Sequence, residues 1–359
     1  MNVITKINNR GGWWRQSNIE LLRLVAQFLI VYYHLLMICV VPFNDNPIFK
    51  ALELPGHIGV VLFVLISGYF GIHPTSKGFL KLLFIFFVYS LPEIYFKVKD
   101  SASIVDLGKS LFFFSHTHFW FIRTYVFLYL VSPMVNMFIE KSTVKQRVYM
   151  MCSLFFISIY IGTVGGDPSL GDGKNLVNFI FVYMLGNVLR QDASFLKKIR
   201  SWALLAVYVA MNLALVFGYT AMSDNIVGKV LWRLSFPYSS PVLLVNSVLF
   251  FVLFTRLSFQ SKAVNWLARS SLAIYLIHSN RPLFFDWDGM AGGELPGGII
   301  GNMAKWAGAV ATNDLLYGML LLLVALLVIV ICVGIDQFLS PVWKFAGARF
   351  DRLYHRLGF

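Results

Sequence analysis

The chain has 359 residues, 58% of them hydrophobic and 13% charged, with a mean hydropathy of +0.71. Soluble domains run nearer a quarter charged, so this composition excludes a pair of soluble domains and points to one membrane-spanning helical bundle. A formal net charge of +13 would suggest nucleic acid in a soluble protein, but here the basic residues cluster in alternate links, which is a signature of membrane topology.

Met1 to Gln16 is polar and basic, with Lys6, Arg10 and Arg15, and Trp13 and Trp14 are suited to the membrane interface. About ten apolar segments follow, since ~20 apolar residues suffice to span a bilayer as a helix. Their approximate positions are 18–41, 57–73, 79–96, 118–138, 149–164, 175–190, 202–220, 238–255, 264–284 and 315–338. The second, fifth and sixth are short, and are expected to be tilted, broken or extended by neighbours. The first is too long for a signal-peptide core and lacks a small-x-small cleavage site, so it is expected to be retained.

Charge sets the orientation. The N-terminus, Lys77 and Lys81, the link with Lys141, Lys145 and Arg147, the link 190–201, Arg256 and Lys262, and the tail with Lys344, Arg349, Arg352 and Arg356 are basic and alternate with acidic links. The positive-inside rule then places both termini in the cytoplasm, which requires an even number of crossings. The expected organisation is an all-α membrane domain over 1–345 and a basic cytoplasmic tail over 346–359. The longest connection, 285–314, falls on the outer side. It is either a lid or binding loop or a plain link, with a short interfacial helix expected over 305–311. Cys39, Cys152 and Cys332 lie far apart in or beside apolar segments, so neither a disulfide framework nor a metal site is expected.

The first segment carries the leading candidates. Arg23 and His34 have ten residues between them. Eleven steps of ~100° return to within ~20° of one face, with a rise of about 16 Å. Ionisable groups inside a membrane are costly and face a bundle interior or a wet cavity, so this helix is read as the wall of a site. His34 at mid-depth is either a general base or a histidine hydrogen-bonded between helices. Arg23 is either a phosphate or carboxylate ligand or a snorkelling cation paired with Glu20 at i−3. In FVLISGYFGIHP, Ser67 and Tyr69 flank Gly68; Gly68 and Gly71 permit close backbone approach or a helix end. Lys77 and Lys81 share one face of the third segment, as phosphate ligands or as membrane anchors. His116, His118, Trp120 and Arg123 open the fourth segment at the outer side, where the two histidines at i, i+2 do not face each other and so make no metal pair. His278 lies near the outer end of the ninth segment, placed to meet an acceptor or to cap a helix.

Together these residues resemble the acyltransferase-3 family of multipass membrane acyltransferases. Arg23 to His34 matches the family's first-helix pattern of a basic residue, ten residues and a histidine, preceded by NIELLR. FVLISGYF resembles its SGY motif, HFWFIRTYVFLYLVSP its Trp-Phe helix ending in Ser-Pro, and LAIYLIHS its late IYLIH helix. The chain departs from the family in having Leu24 where members often have Gly, and Lys77 and Lys81 where members often have an Arg-x-x-Arg pair. The resemblance implies a bacterial inner-membrane O-acyltransferase. It would take an acyl group, usually acetyl, from cytoplasmic acyl-CoA to a hydroxyl of a surface polysaccharide or lipid-linked glycan. On that reading His34 and Arg23 are catalytic, and Arg23, Lys77 and Lys81 bind acyl-CoA. Ser67, Tyr69, Trp120, Arg123 and His278 contact substrate, and the other partners are membrane lipids, with no metal and no nucleic acid. With no serine-hydrolase-like domain after the last helix, the acyl group is expected to pass directly to the acceptor. The alternative is a multipass transporter or flippase of a lipid-linked sugar, whose usual Gly/Pro-broken paired halves are not evident.

Overall fold

The computed structural model describes residues 16–99, 119–191, 198–280 and 296–356, with a few positions between them. The described residues form helices and no strand. In chain order the α-helices are α1 (Ser17–Cys39), α2 (Pro47–Gly56), α3 (Ile58–Phe70), α4 (Ser76–Lys99), α5 (Trp120–Lys141), α6 (Val144–Phe155, continuing as a π-helix over Phe156–Val164), α7 (Leu176–Gln191), α8 (Ser201–Met222), α9 (Ile226–Ser235), α10 (Pro241–Thr255), α11 (Lys262–Leu267), α12 (Ser271–His278), α13 (Gly298–Val310), α14 (Asp314–Phe338) and α15 (Ser340–Arg356).

Among the described residues, seven spans are long and apolar enough to cross a membrane: α1, α2 with α3, α4, α5, α6 with its π-helix, α8 and α14. The expected count of about ten is not reached by length and apolarity, for two physical reasons. Helices α7 and α10 are apolar but short; the 16 residues of α7 rise only about 24 Å. The ninth expected span, 264–284, is broken into α11, a 3-10 turn at Ala268–Ser270 and α12. The break frees polar groups to act across helices: Ser270 donates to Asp336 Oδ2 at 2.7 Å, and the Ser271 carbonyl accepts from Gln27 at 2.7 Å. The expected 305–311 helix is longer, as α13, and packs between α1 and α14. Helix α15 runs through the boundary expected at 345–346.

Local sequence explains where helices start and close. The Asn46 side chain accepts from Ile48 N at 3.1 Å just before Pro47, Thr143 and Gln146 form a reciprocal capping box for α6, and Ser240 precedes Pro241 at the start of α10. Such side chains satisfy the first backbone N–H groups, which have no intrahelical partner. The two glycines of the SGY stretch do different work. A Cβ at Gly68 would fall on the Tyr183 carbonyl of α7, and one at Gly186 on the Leu65 carbonyl of α3, so this small pair lets the two backbones touch. Gly71 ends α3 at φ +81°, a conformation natural to glycine.

Helix α1 and the segment 261–278 run parallel in a fixed register. Ser261 N donates to Ser17 Oγ at 2.9 Å, Gln27 Nε2 to the Ser271 carbonyl, and His34 meets His278, each pair 244 positions apart. A constant offset is possible only for parallel chains. At another point Asp336 accepts from Tyr89 at 2.5 Å, Ser270 at 2.7 Å and Trp343 at 3.1 Å, which ties α4, α14 and α15 to the turn before α12.

Candidate active site

His34 opens onto a cavity of about 170 Å³ between α1, α3, α5 and α12. The cavity brings together one mid-helix base and an aromatic wall: Tyr33, Trp120, Tyr238 and Tyr275 line it, with His57 and Lys174 as its other ionisable groups. The His34 Nδ1 atom lies 2.9 Å from His278 Nε2. His278 is fully buried, and its Nδ1 is 2.6 Å from the Ile274 carbonyl. Sequence reading set His278 against an acceptor or a helix cap; its ring faces His34 instead, while the following Ser279 lines the cavity.

Trp120 lines the cavity. Its ring lies 5.1 Å from that of Tyr238, and Lys174 Nζ stands 5.6 Å from its centroid. His57 is fully buried against Phe236, Tyr33 and Tyr238, at ring separations of 3.9, 4.4 and 4.6 Å. Its Nδ1–H donates to the Phe236 carbonyl at 2.7 Å, and its Nε2 has no hydrogen-bond partner among the described residues. Tyr238 sits in the turn between α9 and α10.

The remaining expected residues fall outside this cavity. Arg23 pairs with Glu20 at 3.3 Å and keeps a third of its side chain exposed. It also lies within electrostatic reach of Tyr125, whose hydroxyl is 3.0 Å from Ser67 Oγ. Arg23, Ser67 and Tyr125 thus form a second polar group, on the His34 stripe but toward the start of α1. Tyr69 packs on Phe251 at 5.3 Å, and its carbonyl accepts from Arg190 at 3.2 Å. Lys77 and Lys81 are exposed on the first two turns of α4. Arg123 is half-buried on α5, without a hydrogen bond or ion pair among the described residues. His116, His118 and residues 285–295 lie outside the described residues.

Sequence reasoning missed Tyr33, His57, Lys174, Tyr238 and Tyr275. Tyr33 adjoins His34, and Tyr275 stands one turn before His278, so two of the five had a local signal. Lys174 and Tyr238 sit in links between helices, where hydrophobic periodicity says nothing. A larger groove of about 810 Å³ lies between α6 and α7, lined by Met151, Phe155, Phe181 and other apolar side chains, with Arg147 its one charged residue. Neither a carboxylate nor a histidine lines it, and its one thiol is Cys152. No three metal-binding side chains converge among the described residues; phosphate could be met by Arg23, Lys77 and Lys81.

The family model Acyl_transf_3, described as an acyltransferase domain, matches residues 16–336. No curated protein matches the chain, and no solved structure does.

Proposed function

The chain belongs to the acyltransferase-3 family, and on that premise we propose that it is a membrane O-acyltransferase of the bacterial inner membrane, moving an acetyl group from cytoplasmic acetyl-CoA to a hydroxyl of a surface polysaccharide or its lipid-linked precursor. The observation that carries this reading is His34 in the wall of an aromatic-lined cavity. A sugar hydroxyl is a poor nucleophile at neutral pH, and a positioned base typically contributes about 10²–10⁴-fold. His34 takes the hydroxyl proton as the oxygen attacks the thioester carbonyl carbon. The new C–O bond forms, the C–S bond breaks, and the proton passes from the imidazolium to the departing CoA sulfur.

Arg23, Lys77 and Lys81 hold the CoA phosphates, and Ser67 with Tyr125 borders the path between them and His34. Trp120, Tyr238 and Lys174 receive the acceptor, since sites for organic ligands combine aromatic walls with a few placed polar groups. The volume favours acetyl: about 170 Å³ is well below the ~300–1,000 Å³ of sites that engulf a drug-sized ligand. The proposed topology has about ten crossings with both termini cytoplasmic. Its support is the parallel register of α1 with 261–278, which demands an odd number of crossings between them. The test is mass spectrometry of the extracted glycan from cells with the gene, without it, and with His34→Ala or His34→Gln at matched membrane abundance. Loss of the acyl group in all but the first supports the reading; full acylation by both variants overturns it.

A further inference from the structure

Two imidazoles meet nitrogen to nitrogen beside the cavity, with His34 Nδ1 2.9 Å from His278 Nε2. That contact needs one proton between the nitrogens, because two lone pairs repel and two N–H groups collide. A third atom decides which ring supplies it. His278 Nδ1 lies 2.6 Å from the Ile274 carbonyl oxygen, which can only accept, so Nδ1 carries the His278 proton. Neutral His278 then presents a lone pair at Nε2, and the proton in the contact belongs to His34 Nδ1. The hydrogen bond at one ring nitrogen fixes the role of the other, which leaves His34 with its lone pair at Nε2.

We propose that His278 is the positioning residue for His34: its Nε2 accepts from His34 Nδ1–H and so makes His34 Nε2 the nitrogen that takes the hydroxyl proton. This role rests on the acyl-transfer reading and deepens it. A base oriented by a third group is the general logic of activated nucleophiles; here the third group is a neutral histidine on another helix. His278 itself moves no proton. After His34 is protonated, its Nδ1–H still points at an acceptor and the ring keeps its orientation.

The surroundings hold His278 for that task. It is fully buried, as is the neighbouring Asn280, whose side chain donates to the Tyr89 carbonyl at 2.8 Å. Gln27 clips to the Ser271 carbonyl at 2.7 Å. The step from Gln27 to His34 equals that from Ser271 to His278, close to two helical turns on each helix. One clip therefore sets the register of the other. Ser279 Oγ approaches His278 Nε2 at 3.4 Å, a longer contact than that of His34.

The test uses the whole protein in detergent or nanodiscs, with ¹⁵N-labelled histidine imidazoles and the His34 signals assigned by their absence in His34→Ala. His34 should be protonated at Nδ1 and bare at Nε2. His278→Leu should abolish that preference. His278→Gln, whose amide oxygen can replace Nε2 as acceptor, should keep it. In acyl-transfer assays His278→Leu should lower kcat by ~10²-fold, the low end of what a positioned base contributes, with the KM for each substrate little changed; His278→Gln should recover most of the loss. A wild-type His34 protonated at Nε2, or a His278→Leu enzyme with normal kcat, overturns the inference. The two failures are separable: if His34→Ala retains full activity the acyl-transfer reading falls, while an inactive His34→Ala beside a fully active His278→Leu removes only the role of His278.

Discussion

Acyl-chain selectivity should be set by the cavity beside His34 and should change when its wall is trimmed. At ~30 Å³ per water, a space of about 170 Å³ holds roughly six waters. An acetyl group and one hydroxyl-bearing carbon take up a large share of that, and a butyryl chain adds two methylenes that compete with the acceptor for the rest. One surplus or missing methylene in an apolar pocket changes discrimination by about 1–3 kcal/mol, or ~10–200-fold. Val60 lines the cavity and is 6% exposed. Val60→Ala removes two methyl groups there, at a stability cost of ~1–3 kcal/mol, between the Ile→Val and Leu→Ala classes. The assay is competition between acetyl-CoA and butyryl-CoA on one glycan acceptor, scored by product mass. Wild type should prefer acetyl by at least ~10²-fold, and Val60→Ala should narrow that ratio by ~10-fold or more. An unchanged ratio in a stably inserted Val60→Ala protein would refute the placement of the acyl group in this cavity.

Arg23→Ala should raise the KM for acyl-CoA with little change in kcat, the pattern of lost uniform binding; an unchanged donor KM would remove Arg23 from the donor site. Trp120→Ala should weaken use of the glycan acceptor and leave the donor KM alone, as measured by varying each substrate in turn. Gly68→Ala should lower membrane abundance and thermal stability, because the added Cβ meets the α7 backbone and overpacking typically costs about 1–3 kcal/mol; normal melting would show that α3 and α7 separate freely. Single cysteines in 190–201 should resist an impermeant thiol reagent in intact cells, while cysteines in 298–310 should react, and the reverse pattern would invert the proposed topology.

Periodicity made the Arg23–His34 stripe legible, because a fixed rotation per residue places both side chains on one face whatever surrounds the helix. The same reasoning gave two candidate uses for Gly68 and Gly71, and the two residues divide them: close approach at the first, a helix end at the second. What periodicity cannot give is which stripes meet. His278 was visible as a polar residue at a helix end, but its pairing with His34 depends on a register between helices 244 residues apart. The break at 268–270 was hidden for a related reason. Arg269, Ser270 and Ser271 interrupt the apolar run, but the partner that satisfies Ser270 is Asp336 on α14, which no local pattern gives. Lys174 and Tyr238 come from links, so their presence in the cavity follows only from how the helices are arranged.

The parallel alignment of α1 with 261–278 has a consequence for biogenesis. One half of the histidine pair lies in α1 and the other 244 residues later, in α12. Domains and helices emerge N-terminus first, and contacts of large sequence separation form late because loop closure must precede them. Helix α1 must therefore wait in the bilayer with the His34 imidazole and the Gln27 amide unmatched, until α12 has been inserted. Chains interrupted before Ser271 would be integrated and helical yet chemically mute, and the interval before α12 arrives is when a membrane chaperone or quality-control protease has a polar stripe to recognise.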